Sequence, residues 1–467
     1  MSVESVNPAT EEVVESYEEH DQEAVDERLD QALDVFEEWR EIPIAERERY
    51  LARVAEVLQE NEEVYAELMT REMGKPITQS RAEIEKCAWV CEYYAERAGE
   101  FLQDEVIGAE PGTRTYVAHE PMGCVLAVMP WNFPFWQVFR FAAPHLTAGN
   151  VGVLKHASNV WGCARAIEDV FEEAGYPEGV FSTLLIGSDA VEDVIADERV
   201  AAVTLTGSSG AGRSVGESAG SQLKKSVLEL GGSDPFVVLP DAPMEQTVTA
   251  AVQSRTISSG QSCIAAKRFV VSEDVYDEFL DRFVDEMEAL AVGDPMEEDT
   301  DVGPQARDDL LSDLHEQVEA SVEAGAELLT GGEPLDRKGS FYPPTVLADV
   351  PRDCPAATEE VFGPVAAVFS VEDEEEAIEL ANDVPFGLGA SVWTEDLDRG
   401  ERIARRFESG LAFVNELVKS DPRLPFGGVK KSGYGRELAR RGIREFVNEK
   451  TVWIRHGHHE GGGVPIE

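Results

Sequence analysis

The chain is short of positive charge, of cysteine and of long apolar runs. Its 467 residues hold 40 Lys and Arg against 92 Asp and Glu, a formal net charge of −52. A surface this acidic repels phosphate backbones and anionic bilayers, so neither nucleic acid nor a membrane surface is an expected partner. Only 11 of the basic residues are lysine. The acids are spread along the chain rather than gathered in a tail. That pattern is expected of a protein solvated in concentrated salt, where a short Debye length mutes self-repulsion, and it predicts the cytoplasm of a halophile. Six cysteines in a chain of this length do not make a disulfide framework. Cys87 and Cys91 lie one helical turn apart with no second Cys or His pair, so they read as packing residues, and no metal site is expected. Apolar runs such as 124–130 and 236–240 are too short to cross a bilayer. The acidic first residues carry no apolar segment of the kind a secretory signal needs.

What is present suffices for a sizeable core: 43% of residues are hydrophobic and 8% aromatic. From about 21 to 105 the apolar positions fall at helical spacing. Val25, Leu29, Leu33 and Phe36 form one stripe, and Leu51, Val54, Val57 and Leu58 another. Pro43 and Gly74-Lys75-Pro76 punctuate the helices. Alternating Thr, Tyr and Val at 113–119 predict a short exposed strand pair. Strands and helices then alternate, with strands at 125–129, 152–155, 181–186 and 202–206 and helices at 135–146, 164–174 and 190–197. This βαβ rhythm predicts a mostly parallel sheet covered on both faces. A second α/β stretch runs from about 235 to 426, with strands near 236–239, 269–271, 366–371 and 390–393, and 446–456 reads as an extended strand. His456, His458 and His459 sit beside a glycine-rich end and read as tail rather than metal ligands.

Four short segments carry chemistry. Leu205-Thr206-Gly207-Ser208 ends a strand and opens a helix, with Gly212 five residues after Gly207. Free N–H groups and a hydroxyl at a helix N-terminus suit a pyrophosphate, although a tight strand-to-helix turn reads the same way. Glu229, between two leucines in Leu228-Glu229-Leu230-Gly231-Gly232, is a candidate for desolvation and hence for general-base work, or an ordinary surface glutamate. Cys263 lies among small residues and is either a nucleophile or a buried structural cysteine. Asn132, in the rigid turn Pro130-Trp131-Asn132-Phe133-Pro134, is either an oxyanion donor or a turn former. Trp131 and Trp136 line an entrance or pack.

Taken together the segments resemble the NAD(P)-dependent, non-phosphorylating aldehyde dehydrogenases. The matching pieces are PWNFP at 130–134, VLK ending at Lys155, LTGS at 205–208, LELGG at 228–232, GQSC at 260–263, EEVFGP at 359–364 and PFGGVKKSGYGRE at 425–437. They stand in the family's order and cover essentially the whole chain. The resemblance implies an α/β fold in three parts: a Rossmann-type dinucleotide-binding domain at 1–105 and 122–233, a catalytic domain at 234–435, and oligomerisation strands at 106–121 and 436–460. It also implies a homodimer or homotetramer. Residue by residue, it makes Cys263 the nucleophile toward an aldehyde, Asn132 the oxyanion donor and Glu229 the base that hydrolyses the thioester. It puts Trp131, Lys155, Ser158, Gly207, Ser208, Glu360 and Phe362 around NAD or NADP. Ser158 stands where NAD-preferring members often carry a glutamate; a serine does not repel a 2′-phosphate, so NADP is admissible.

Two positions depart from the family. Phe141 replaces the lysine that helps relay protons, although Glu437 of the relay is present, and Ser258 replaces an asparagine five residues before the nucleophile. Arg140 and Phe426 are the expected substrate contacts. The wording around Lys155 and Glu437 is most similar to the succinate-semialdehyde branch, in which an arginine at the place of Arg140 grips the distal carboxylate. That branch commonly has a second arginine where this chain has Ile257, with Arg255 nearby. A broad-specificity aliphatic or aromatic aldehyde dehydrogenase is the alternative. A non-catalytic relative, or a reductase of acyl phosphates or acyl-CoA, accords less well with the presence of Cys263, Glu229 and Asn132.

Overall fold

The computed structural model describes residues 2–108 and 112–455; the expected histidine-rich tail lies outside them. Four helices fill the predicted helical region: Gln22–Trp39, Ile44–Glu60, Glu62–Met73 and Ile77–Phe101. Pro43 and Pro76 stand immediately before the second and fourth, where a preset φ and a missing N–H cost nothing. Gly74, at φ 78°, ends the third in the left-handed conformation. The first helix buries Val25, Leu29, Ala32, Phe36 and Trp39, while Leu33 is 43% exposed. Leu33 lies one residue, about 100° of helix rotation, off that stripe. Cys87 and Cys91 are buried in the fourth helix.

The first sheet has six strands in the order Gly433–Tyr434, Lys225–Glu229, Val200–Thr206, Cys124–Met129, Val151–His156, Phe181–Thr183. All neighbours are parallel except the two-residue edge strand. The chain leaves the central strand Cys124–Met129 toward Phe181 on one side, then crosses to Val200–Thr206 on the other. This is a topological switch point, whose crevice at the carboxyl ends of the strands is where open α/β sheets take ligands. The Phe181 strand is shorter than expected. Beyond Thr183 the chain turns away, and the Leu185 carbonyl accepts from the His20 N–H at 2.8 Å.

The second sheet has seven strands in the order Glu327–Thr330, Thr345–Ala348, Val365–Val371, Ala266–Ser272, Asp234–Val238, Ser391–Trp393, Phe413–Val414, parallel apart from the first. Alternate residues feed two cores: Phe236, Phe269 and Trp393 on one face, Val237, Val270 and Val392 on the other.

The expected strand pair at 113–119 is instead one nine-residue strand, Thr113–Pro121, held between Glu105–Ile107 and Val447–Arg455. Its partners are remote in sequence, so local alternation could not reveal them. Ser2–Val6 and Val13–Glu18 form a separate antiparallel hairpin that the sequence reading did not anticipate. No helix among the described residues is long and apolar enough to cross a membrane.

Candidate active site

Cys263 sits on a loop that enters the strand Ala266–Ser272 from below its N-terminus. The loop is strained and over-determined. Ser258 and Ser259 adopt φ of 52° and 54°, conformations that cost on the order of 1–3 kcal/mol each for a non-glycine residue. They are held in place by the Ser258 N–H donating to Gln79 Oε1 at 2.7 Å and by Ser259 Oγ accepting from the Gly303 N–H at 2.9 Å. Asparagine tolerates the left-handed region better than serine does, which explains physically why the family pattern has it at the Ser258 position. At Gly260 a Cβ would lie 2.3 Å from Gly363, so only glycine lets the two loops touch. Behind the loop, Lys267 is buried and donates from Nζ to the carbonyls of Ser262 at 2.8 Å and Cys263 at 2.7 Å, with Glu360 at 3.6 Å. Burial pushes the Cys263 thiol up to about 12, and the charges of Lys267 and Arg140 pull the other way.

Asn132 is buried beside that loop. One N–H of its side-chain amide donates to the Gln261 carbonyl at 3.0 Å, and its own backbone carbonyl accepts from Ser258 Oγ at 3.3 Å. The turn carrying Asn132 is anchored from three sides. Glu83 Oε1 accepts the N–H groups of Phe135 and Trp136, both at 2.9 Å, at the start of the helix Trp136–Thr147. Lys75 pairs with the other oxygen of Glu83 and sits 3.8 Å from the centroid of the Phe133 ring. His156 Nε2 bonds the Pro134 carbonyl at 2.9 Å.

Glu229 ends the strand Lys225–Glu229 with both carboxylate oxygens buried and without a hydrogen-bond partner. Burial, and after it the neighbouring Glu437, raises its pKa well above the ordinary carboxylate range. At Gly427 a Cβ would come within 2.4 Å of Glu229 Oε1, so the Pro425–Gly428 turn closes on this carboxylate only because it is glycine there. Phe426 and Glu437 exchange backbone hydrogen bonds at 2.8 Å, which puts both against Arg140.

Arg140, an expected substrate contact, lines the cavity that opens onto Cys263, and its guanidinium is also engaged within the fold. It is 2% exposed, its Nε pairs with Glu437, its Nη2 donates to Thr206 Oγ1 at 3.2 Å, and its guanidinium carbon lies 4.5 Å from the Phe426 ring centroid. Phe141 meanwhile is core, edge-on to Phe446. The cation that meets Glu437 is therefore one position earlier than in the family pattern. Arg255 differs from a substrate arginine: it is fully buried and donates to the Gly260 carbonyl at 2.7 Å.

A cavity of about 580 Å³ opens onto Cys263, walled by Arg140, Phe426, Trp136, Lys86, Ser420 and Phe133 among others. Its size is that of a small-molecule site.

Of the expected cofactor residues, Trp131, Lys155, Ser158, Gly207 and Ser208 stand at or just beyond the carboxyl ends of neighbouring strands of the first sheet, and Glu360 and Phe362 on the segment before the strand Val365–Val371 of the second. Lys155 is buried without a hydrogen bond among the described residues, and burial lowers its pKa while Asp189 opposes. Ser158 is exposed on the turn that follows. Ser208 caps the helix Ser209–Ser221, accepting from the Ala211 N–H at 3.2 Å, with Gly207 before it. Trp131 and Phe362 meet edge to face at 5.8 Å, and Glu360 accepts from the Gly232 N–H at 2.9 Å. Lys155, the start of the helix Ser209–Ser221 and the hydroxyl of Ser158 form a donor set that fits a phosphorylated dinucleotide. Lys267, Lys86, Glu83 and Ser420 were missed by sequence reasoning. The available signal for Lys267 was a lysine just ahead of the strand predicted near 269–271.

The arrangement of a cysteine in a cavity wall, an asparagine amide beside it and an unpaired buried glutamate, all next to a dinucleotide crevice, is that of a cofactor-dependent dehydrogenase working through a covalent thiol intermediate. The chain belongs to the aldehyde dehydrogenase family, whose profile matches residues 1–452. It is 52% identical over 454 residues, 97% of this chain and the whole of the relative, to a probable succinate-semialdehyde dehydrogenase (NADP+) of Synechocystis. It is 50% identical over 456 residues to succinate-semialdehyde dehydrogenase (NADP+) 1 of Mycobacterium tuberculosis, again over 97% of this chain and all of the relative. Among solved structures, succinic semialdehyde dehydrogenase from Streptococcus pyogenes with NADP+ superposes with a TM-score of 0.95 at 38% identity, covering 97% of this chain and all of that one.

Proposed function

We propose that this chain oxidises succinate semialdehyde to succinate with NADP+ as the hydride acceptor. The observation that carries the reading is the cavity that brings Cys263 together with cationic side chains, Glu229 lying unpaired close by. The full-length similarity to relatives named for that substrate and cofactor supports it.

In this reading the Cys263 thiolate attacks the aldehyde carbon. A C–S bond forms and the carbonyl π pair moves to oxygen, where it meets the free N–H of Asn132 and the backbone N–H of Cys263. The Ser262 carbonyl, on which Lys267 sits, belongs to the same peptide as that backbone N–H. An ammonium there polarises the peptide and strengthens the donor. Trp131, Lys155, Ser158, Gly207, Ser208, Glu360 and Phe362 would hold the cofactor, whose nicotinamide would supply the acceptor for the hydride on the former aldehyde carbon. Glu229 then removes a proton from a water as its oxygen adds to the thioester, and the C–S bond breaks to return the thiolate. Glu437 is next in line for the proton. Arg140, which does not deprotonate in proteins, fixes Glu437 rather than relaying through it.

The first sheet with the N-terminal helices would form the cofactor domain, the second sheet the catalytic domain, and the three-stranded sheet the arm of a homodimer or homotetramer. The acidic surface supports placement in the cytoplasm of a salt-accumulating cell. The test is formation of reduced nicotinamide, followed by its ultraviolet absorbance, with succinate semialdehyde or butanal and NADP+ or NAD+. The expected result is a kcat/KM for the semialdehyde with NADP+ at least about tenfold above the other pairs, ~1.4 kcal/mol of discrimination. Equal use of both aldehydes would discard the succinate assignment. No reduction with any pair would overturn the dehydrogenase reading.

A further inference from the structure

The cavity that opens onto Cys263 also holds an amine that the dehydrogenase chemistry does not use. Thr78, Ala82 and Lys86 follow one another at four-residue spacing on the helix Ile77–Phe101 and line its wall. Lys86 Nζ donates to Ser420 Oγ at 2.7 Å and lies 4.5 Å from the centroid of the Trp136 ring. No carboxylate among the described residues pairs with it. Glu83, one turn earlier, is taken by Lys75 and by the start of the helix Trp136–Thr147, and Asp421 is bonded to Arg423. Glu286 and Asp301 stand elsewhere on the wall. Lys419, the other lysine of the wall, is exposed and paired with Glu416 at 2.8 Å.

Burial pushes the Lys86 amine down to about 8, and the Arg140 guanidinium on the helix Trp136–Thr147 pushes the same way. Cys87 and Glu83 on its own helix and Asp421 next to Ser420 oppose. At about pH 8 roughly half of this amine is neutral, against about one in 250 for an ordinary lysine at about 10.4. A neutral amine is a nucleophile toward a carbonyl carbon, and desolvation beside another cation is what activates such a lysine. An aldehyde that enters this cavity therefore meets two nucleophiles, a thiol and an amine.

We propose that Lys86 is a second covalent site of the cavity, where a small aldehyde forms a reversible Schiff base that withdraws the enzyme from turnover. The Nζ lone pair forms a C–N bond and the carbonyl π pair moves to oxygen. The C–O bond then breaks as the nitrogen pair closes C=N, and both protons of the amine leave with that oxygen as water. No oxidant or reductant takes part. Ser420 Oγ accepts from Nζ and keeps its own O–H to donate to the departing oxygen. Once protonated, the imine keeps a positive charge beside the Trp136 ring. The bound aldehyde then fills space that a substrate of Cys263 needs. The proposal requires an aldehyde in the cavity, not succinate semialdehyde in particular.

The enzyme without NADP+ is incubated at about pH 8 with butanal or succinate semialdehyde and sodium cyanoborohydride, which reduces an imine to a stable amine. Peptide mass mapping reads the site, because a trapped lysine is heavier by the aldehyde less one oxygen atom. The expected result is a label on Lys86 that forms at least about tenfold faster than on any other lysine, with activity lost in proportion. Lys86→Arg keeps the charge and cannot form the imine, so under the same treatment it should retain its own starting activity. Parent enzyme exposed to aldehyde without the reductant should recover on dilution. A parent in which Lys86 stays unlabelled, is labelled no faster than exposed lysines, or is labelled without loss of activity would overturn the proposal. Inactivation of Lys86→Arg at the parent's rate would do the same. If Lys86→Arg does not fold, the label and the activity of the parent decide. If the parent oxidises no aldehyde at all, the dehydrogenase reading fails on its own, and the label on Lys86 still decides the amine.

Discussion

Glu229 has both oxygens buried and unpaired, and its pKa is raised by burial and by Glu437. The ionised form that serves as base therefore grows as pH climbs above the ordinary carboxylate range, so thioester hydrolysis should rise toward the alkaline side. Glu229→Gln is expected to give one burst of reduced nicotinamide and then turn over about 10²- to 10⁴-fold more slowly. Its residual rate should lose that alkaline rise; a variant with the parent's steady-state pH profile would remove Glu229 from the base role. Lys267 acts on the other half of the chemistry. Its charge lowers the Cys263 pKa against the upward push of burial. Lys267→Met should therefore move the pH curve for alkylation of Cys263 by iodoacetamide to higher pH, and lower kcat for all aldehydes by roughly tenfold, as expected for a weakened oxyanion donor. An unmoved alkylation curve would reduce Lys267 to a packing role. Cys263, Glu229 and Asn132 were singled out in the sequence because each sits in a short segment that, in combination with the others, resembles the family's motifs. The partners that tune them were not. Arg140 meets Glu437, and Lys267 meets Glu360, from distant parts of the chain.

At the scale of elements, the helix Trp136–Thr147 is buried along its entire length, so its entry has to be fixed by something other than solvent. Glu83 does this through two backbone N–H groups, and Lys75 neutralises it. Lys75→Met leaves a buried carboxylate without its cation and should destabilise the fold by about 3–5 kcal/mol. Melting curves of Lys75→Met, Glu83→Gln and the double variant should show losses that are smaller together than summed. Additive losses would mean that the two residues act independently. Element type was readable where the period was clear, as in the helices from Gln22 to Phe101 and in the strands Cys124–Met129 and Val151–His156. The strand Thr113–Pro121 was misread as a pair because alternation along one segment carries no information about which distant segment pairs with it.

For the whole molecule, a charge of −52 is the dominant long-range term. Raising KCl from about 0.1 M to about 1 M shortens the Debye length from ~10 Å to ~3 Å. Because the net repulsion among surface acids is thereby screened, the melting temperature and the specific activity should both rise over that range. A protein that is equally stable and active at the low end would contradict the halophile reading.

Composition, periodicity and turn chemistry by themselves determined the α/β class and the succession of the parallel units, because these depend on residues within a few positions of one another, and the order of the short motifs along the chain supplied the resemblance that proposes the reacting groups. The tertiary structure alone decided which charges are spent and which are free. Arg140 pairs with Glu437, whereas Lys86 faces the cavity, donating to Ser420 Oγ and packed on the Trp136 ring. Electrostatic pairing depends on distance in space, and the fold brings together side chains that the sequence keeps apart.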